Sequence, residues 1–318
     1  MGHPRRLVVA AALLAAALGG ACFDGGFLVG RECVSDDDCG PTLKCFAGVC
    51  ADPNSEDGLP AEVLWTEVLD AGNALDDEGL AIATRADGAA LVAGYSARPN
   101  APDDIALHLF DAEGALLRTT APYTGAADDR MLGVTRALDD GFVAVGESSP
   151  DTETHVLLQG VEQFGGQSFT TNAVDLERST GAGILMNEDG SFTITGAIEG
   201  SDGLDVLIAG FGPGGGPDWD TSFDNGLDLD DRGHAIAGLP DGGLVITGSM
   251  TLADGTLDLW VGAFDADGDE RWVVTYDEDD LDDEGLGVAV TSRGELVVAG
   301  ATERDGEGRN IWVRKLEA

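Results

Sequence analysis

The chain has 318 residues with 59 acidic against 17 basic side chains, a formal net charge of −42. Phosphate repulsion at that charge excludes nucleic acid as a partner. A surface so rich in carboxylates suits solubility in a salty or ion-rich medium, where it stays hydrated.

Taken in chain order, residues 1–21 predict an export signal: Arg5 and Arg6 precede an apolar run from Leu7 to Leu18, too short to span a bilayer as a stable helix. The run ends in Gly19-Gly20-Ala21-Cys22, and Cys22 resembles the lipidated cysteine of bacterial lipoproteins, although Gly19 stands where leucine is usual. Gly19 and Ala21 also satisfy ordinary signal peptidase. Five cysteines leave one unpaired unless Cys22 has another use. Phe23 follows where an inner-membrane retention signal would have Asp. The resemblance therefore implies an exported protein, an outer-membrane lipoprotein or one at the cell surface, touching membrane only through its anchor, with 22–32 as the lipid-anchored linker.

Cys33, Cys39, Cys45 and Cys50 enclose 33–50, CVSDDDCGPTLKCFAGVC. That module is too short for a hydrophobic core, so two disulfides are expected to hold it, in any of three pairings. Zinc is the weaker alternative, because no C-x2-C knuckle occurs. The module resembles small cysteine-rich spacers that follow the anchor in other surface lipoproteins. Residues 51–62, ADPNSEDGLPAE, form a flexible linker.

Residues 63–318 are one unit copied five times. Gly94, Gly146, Gly196, Gly248 and Gly300 are 52, 50, 52 and 52 residues apart, each closing an apolar run: LVAG, VAVG, TITG, VITG and VVAG. A period near fifty built from β-rich segments predicts propeller blades. Turn pairs precede the glycines at Asp87-Gly88, Asp140-Gly141, Asp189-Gly190, Asp241-Gly242 and Arg293-Gly294. The strand before each turn carries small residues at one phase, Ala81, Gly133, Gly183, Ala235 and Gly287, which suits the crowded innermost strand of a blade. Leu117, Phe169, Trp219 and Trp272 mark a fourth, outer strand. The fifth copy lacks one. Trp65 stands 29 residues before Gly94, as Trp219 does before Gly248, so the segment around Trp65 is expected to close the last blade. The fold class is all-β: a five-bladed β-propeller closed by an N-terminal outer strand and preceded by a small disulfide-rich module.

Copy four, with Asp231, Gly233, Ile236, Asp241-Gly242-Gly243-Leu244-Val245, Gly248, Asp258-Leu259-Trp260-Val261, Phe264-Asp265 and Trp272, resembles the blades of secreted bacterial β-propeller repeat proteins. The resemblance covers 63–318 and implies the fold; it implies no activity.

Acids also recur in place. Asp76-Asp77, Asp128-Asp129, Asp230-Asp231 and Asp282-Asp283 stand before the blade glycines, and the third blade has Arg178-Ser179 instead. They predict an acidic rim broken at one blade. Such residues are turn caps in most proteins; the competing role is a loop-bound divalent cation, calcium, which is the one cofactor considered. No EF-hand is present, since the twelfth positions are Thr291 and Leu239.

Catalytic groups must break repeat symmetry, because an acid and a base need unlike environments. The asymmetric polar residues are Glu147, Glu188, His155 and His234. No G-x-S-x-G, H-E-x-x-H or P-loop occurs. The expectation is a non-enzymatic, monomeric surface lipoprotein that binds a protein or glycan through its acidic face. The alternative is a furanosidase-like propeller glycoside hydrolase with carboxylates at the channel mouth.

Overall fold

A computed structural model describes residues 44–46, 49–51, 64–69, 75–119, 127–150, 153–173, 176, 178–227, 229–277 and 281–317, in two units, Met1–Leu64 and Trp65–Ala318. In the first unit β1 (Lys44–Phe46) pairs antiparallel with β2 (Val49–Ala51), and the register puts Cys45 opposite Cys50. The signal segment, Cys22, Cys33, Cys39 and the linker after Ala51 lie outside the described residues.

The second unit is five antiparallel sheets, each a meander in chain order. The first holds β3 (Asp77–Thr84), β4 (Ala90–Arg98), β5 (Ala101–Phe110) and β6 (Leu116–Thr119). The second holds β7 (Asp128–Arg136), β8 (Phe142–Ser149), β9 (His155–Val161) and β10 (Gln167–Asn172). The third holds β11 (Ser179–Met186), β12 (Phe192–Glu199), β13 (Leu204–Phe211) and β14 (Pro217–Phe223). The fourth holds β15 (Asp231–Gly238), β16 (Leu244–Thr251), β17 (Leu257–Phe264) and β18 (Glu270–Tyr276). The last has three strands, β19 (Asp283–Val290), β20 (Leu296–Arg304) and β21 (Gly308–Leu316). Sheets of three and four strands at this period are propeller blades. No helix among the described residues is long and apolar enough to cross a membrane.

The two middle strands of a four-stranded sheet are largely apolar because both faces are covered. All seven residues of β9 are buried. Four apolar layers result, one between each pair of consecutive sheets. Leu91, Leu107 and Leu109 meet Met131, Phe142 and Leu157; Val143, Val145 and Leu158 meet Phe192, Ile194 and Phe211. Val206 and Ile208 meet Leu244, Ile246 and Trp260; Val245, Leu259 and Val261 meet Leu296, Val298 and Trp312. The first strand of each sheet is the inner one: β3 lies against β7, β7 against β11, β11 against β15 and β15 against β19. No comparable contact joins β19 to β3. The closing strand expected around Trp65 is unpaired here: residues 64–69 lie outside any sheet.

The repeating glycine has a steric cause. In every sheet the ladder between first and second strands slips by one residue, skipping Leu80, Leu132, Ala182, His234 or Leu286. At that bulge a Cβ on Gly94, Gly146, Gly196, Gly248 or Gly300 would overlap the carbonyl oxygen of Glu78, Arg130, Thr180, Arg232 or Glu284. Glycine is required because two backbones meet there.

One turn differs from expectation. Gly88, Gly190, Gly242 and Gly294 have φ between +83° and +87°, and the second blade fills the same slot with Asp140, at φ +62°. The turn pair is therefore Asp139-Asp140, not Asp140-Gly141. Asp139 caps it by accepting the Gly141 N–H at 3.1 Å, as Asp87 does for Ala89 at 3.1 Å. The glycine next to Asp140 masked the slot in sequence; counting six residues back from Gly146 finds it.

Candidate functional site at the inner-strand ends

The paired aspartates open the inner strands of four blades, and six of the eight carboxylates accept a hydrogen bond. The first of each pair reaches back to the preceding blade. Asp128 accepts the Asp103 N–H at 2.8 Å, Asp230 that of Leu204 at 3.1 Å, and Asp282 that of Leu257 at 3.0 Å. The second works within its own blade. Asp77 accepts from the Ser96 hydroxyl, and Asp283 accepts the Glu303 N–H at 3.2 Å. Asp231 accepts the Asn225 N–H at 2.9 Å and that of Thr251 at 3.2 Å. Burial still pushes its carboxyl up to about 6 against those bonds. Asp129 is fully buried with no normal hydrogen bond to either oxygen; burial raises its pKa, only partly opposed by the nearby Ser148 hydroxyl. Asp76 offers its backbone carbonyl to the Ala97 N–H at 3.0 Å. Among the described residues no three acidic, histidine or cysteine side chains gather as a metal-binding group.

Blade three departs from this rim. Arg178 replaces the first aspartate with φ +52°, a conformation uncommon for a side chain of its size. It pairs with Glu199 and lies 3.7 Å from Glu153. Beside it opens a cleft of about 680 Å³ lined by Thr154, Thr180, Glu199, Asp202 and Asp230 among others.

The next residue along each inner strand differs from blade to blade. It is the residue whose carbonyl packs on the blade glycine, and it lies at the inner-strand end of its blade, the region called the mouth below. Here the five copies disagree: Glu78, Arg130, Thr180, Arg232 and Glu284. Both signs of charge occur among them. Arg130 pairs with Asp103 at 2.8 Å and sits 4.6 Å from the centre of the Tyr95 ring. Burial, then the neighbouring Glu78, pushes the Tyr95 hydroxyl up. Glu147, on β8, is pushed up by burial and held back by Arg130 and by Arg232. Arg232 belongs to the fourth blade, so charges of blades two and four influence each other at the inner-strand ends. His234, the bulged residue of blade four, hydrogen-bonds the Gly285 carbonyl through Nδ1 at 3.0 Å. Burial pushes it down, and that bond and Glu284 oppose the shift. Glu284 is in turn paired with Arg309.

Of the asymmetric residues singled out in sequence, Glu147 and His234 thus reach the mouth. Glu188 lies exposed in the turn after β11, and His155 is buried on β9 with its Nδ1 unpartnered. Glu78, Tyr95, Arg130, Arg232 and Glu284 were missed. The available signal was the column after each second aspartate, which changes where its neighbours repeat.

No family model and no curated protein sequence matches the chain. Among solved structures, a protein of unknown function from Dyadobacter fermentans is similar at 13% identity and TM-score 0.54, covering 74% of this chain and 75% of that one. Another of unknown function, from Bacteroides caccae, is 11% identical with TM-score 0.44 over 72% of each chain. A GH43 β-xylosidase/α-arabinofuranosidase from a compost microbial metagenome is 10% identical with TM-score 0.41, over 72% of this chain and 88% of its own. Likeness at these identities speaks only to the fold.

Proposed function

We propose that the chain is an exported, lipid-anchored binding protein whose propeller holds its ligand at the inner-strand mouth. In this proposal Cys22 carries the lipid, Cys33, Cys39, Cys45 and Cys50 form two disulfides, and the protein sits at the outer membrane or cell surface as a monomer. One observation carries the binding role: on a protein of net charge −42, the mouth interleaves both signs, with Arg130 and Arg232 set among Glu78, Glu147 and Glu284. A polycation would be drawn to the whole outer surface. A set of fixed donors and acceptors of both signs instead suits a polyhydroxylated ligand, whose hydroxyls donate to carboxylates and accept from guanidinium groups. A glycan chain is the preferred class.

The experiment is a glycan array with the purified full chain, repeated with Arg232→Ala. Selective binding lost in the variant supports the assignment. Binding that persists unchanged in Arg232→Ala, or an array with no hits, refutes it.

One specific observation favours hydrolysis as the second reading: burial raises the pKa of Glu147, as a general acid requires, while Glu78 and Glu284 stand on other blades. Release of the aryl group from aryl glycosides by the parent protein, abolished in Glu147→Gln, would establish that reading in place of the first. Calcium at the rim is a separate proposal. It requires a rise in melting midpoint with millimolar calcium beyond that produced by sodium at equal ionic strength.

A further inference from the structure

Three of the four seams between consecutive sheets are tied by the same bond. Asp128, Asp230 and Asp282 each accept an N–H from the preceding blade, that of Asp103, Leu204 or Leu257. At the seam between blades two and three the corresponding N–H is that of Thr154, and Arg178 stands in the aspartate's place with a side chain that carries donors only. The backbone tie survives there: the Glu199 N–H reaches the Arg178 carbonyl at 3.0 Å, as the Glu303 N–H reaches that of Asp282 at 3.0 Å. What changes is the side chain and a φ of +52°, since none of the three aspartates has a positive value. Strain of that kind clusters at ligand-binding sites.

The cleft beside Arg178, about 680 Å³, has the size of pockets that enclose small ligands, roughly 300–1,000 Å³. One wall is fixed in advance. The turn between β12 and β13 is closed by the Gly200 N–H on the Gly203 carbonyl at 2.7 Å and braced by the Leu204 N–H on Asp230 at 3.1 Å. A Cβ on Gly203 would lie 2.7 Å from the Leu229 backbone, so the turn rests against the loop that leads into the next blade. Thr180 belongs to two places. It is the blade-three member, and the uncharged one, of the variable column at the mouth, and it also lines the cleft. Mouth and cleft therefore meet at blade three.

We propose that this cleft is a second subsite, filled by the continuation of the glycan held at the mouth, so that the protein recognises a chain of several sugars rather than a single one. The inference rests on the glycan-binding reading above and adds the path: the chain leaves the mouth past Thr180 and crosses the rim where the aspartate is missing. The lining matches a hydroxylated chain in both senses. Arg178 donates, Glu199, Asp202 and Asp230 accept, and the threonine hydroxyls do either. Apolar side chains contribute little to it, Ala197 and Leu204 being the two, so an apolar ligand finds no matching surface. The gap also explains the arginine. An aspartate at 178 would accept the Thr154 N–H as its counterparts do at the other three seams, tying the blade-two loop down across the passage. Arg178 instead pairs with Glu199 and approaches Glu153 to 3.7 Å.

The test uses the full chain on an array that carries each glycan backbone both as a disaccharide and as a hexasaccharide, followed by calorimetric titration of the best pair. The parent should bind the longer chain at least roughly tenfold tighter, the gain that hydrogen bonds to charged side chains supply. Two variants should reduce that ratio to about threefold or less. Arg178→Asp restores the residue of the other blades, and Asp tolerates the positive φ better than Arg does. Ser201→Trp fills the cleft from an exposed position on its lining. Either variant that folds and keeps the parent's ratio overturns the proposal; should Arg178→Asp fail to fold, Ser201→Trp decides. Disaccharides that bind as well as hexasaccharides to the parent also overturn it, and leave the mouth standing as the whole site. An array without hits at either length overturns both readings.

Discussion

Two adjacent columns of the propeller follow opposite rules. At the positions of Asp77, Asp129, Asp231 and Asp283 four blades of five agree; one residue further on, Glu78, Arg130, Thr180, Arg232 and Glu284 have no residue common to more than two blades. The first column faces its own sheet and in three blades accepts hydrogen bonds that tie strand starts together. The second is held by its backbone, against the blade glycine, and its side chain is free to differ. Within one chain, identity across copies marks a shared structural task, and divergence at a fixed geometry marks the place where the copies can do different things.

The strongest way to break that contrast is at the glycine beneath it. Gly146→Ala would drive a methyl group into the Arg130 carbonyl, so a loss of about 3 kcal/mol or outright misfolding is expected in denaturant titration. A near-parental midpoint would mean that the bulge relaxes freely and that glycine does not fix the mouth residue.

Next comes pH. The folded-state pKa of Asp231, about 6, lies above the ordinary carboxylate value of 3.8. The folded protein therefore binds a proton more readily than the unfolded chain between those values, and stability falls as pH rises from 4 to 6 and stays low above it. Burial at Asp231 should make the protein more stable at pH 5 than at pH 7 by about 1–2 kcal/mol. Melting curves of parent and Asp231→Asn across that range are the check, with the slope expected to flatten in the variant.

A matched pair then sharpens the comparison. Asp282→Ala removes the acceptor for the Leu257 N–H and should cost about 1 kcal/mol. Glu284→Gln, two residues away, should change stability by no more than about 0.5 kcal/mol while weakening glycan binding. Reversed effects in thermal melts and binding titrations would show that the columns had been assigned the wrong way round.

The smallest effect is at the turn. Asp140 holds φ +62° where the other blades place glycine, so Asp140→Gly should stabilise by about 0.5 kcal/mol, read as a small upward shift in midpoint.

The blades were legible in sequence because their demands are local and repeated five times: a glycine under a bulge, a turn with positive φ, a small residue at the inner phase. The aspartate pairs were legible as a ring for the same reason, but not as inter-blade ties, since the Asp128 partner lies 25 residues away and belongs to another sheet. The mouth was hidden because it has no repeat. Arg232 and Glu147 influence each other only once the sheets are packed in the fold, and nothing in a linear string brings residue 147 to 232. Cys22 and the first two cysteines of the small module rest on sequence resemblance and arithmetic alone.

The backbone clamp at each blade glycine has a practical consequence. Because the carbonyl rather than the side chain is what the fold grips at 78, 130, 180, 232 and 284, those five sites form a natural cassette for diversification. A library randomised there would vary the recognition surface while leaving every sheet intact. Duplication of a blade followed by drift at a single codon would have offered ancestral proteins the same route to a new specificity.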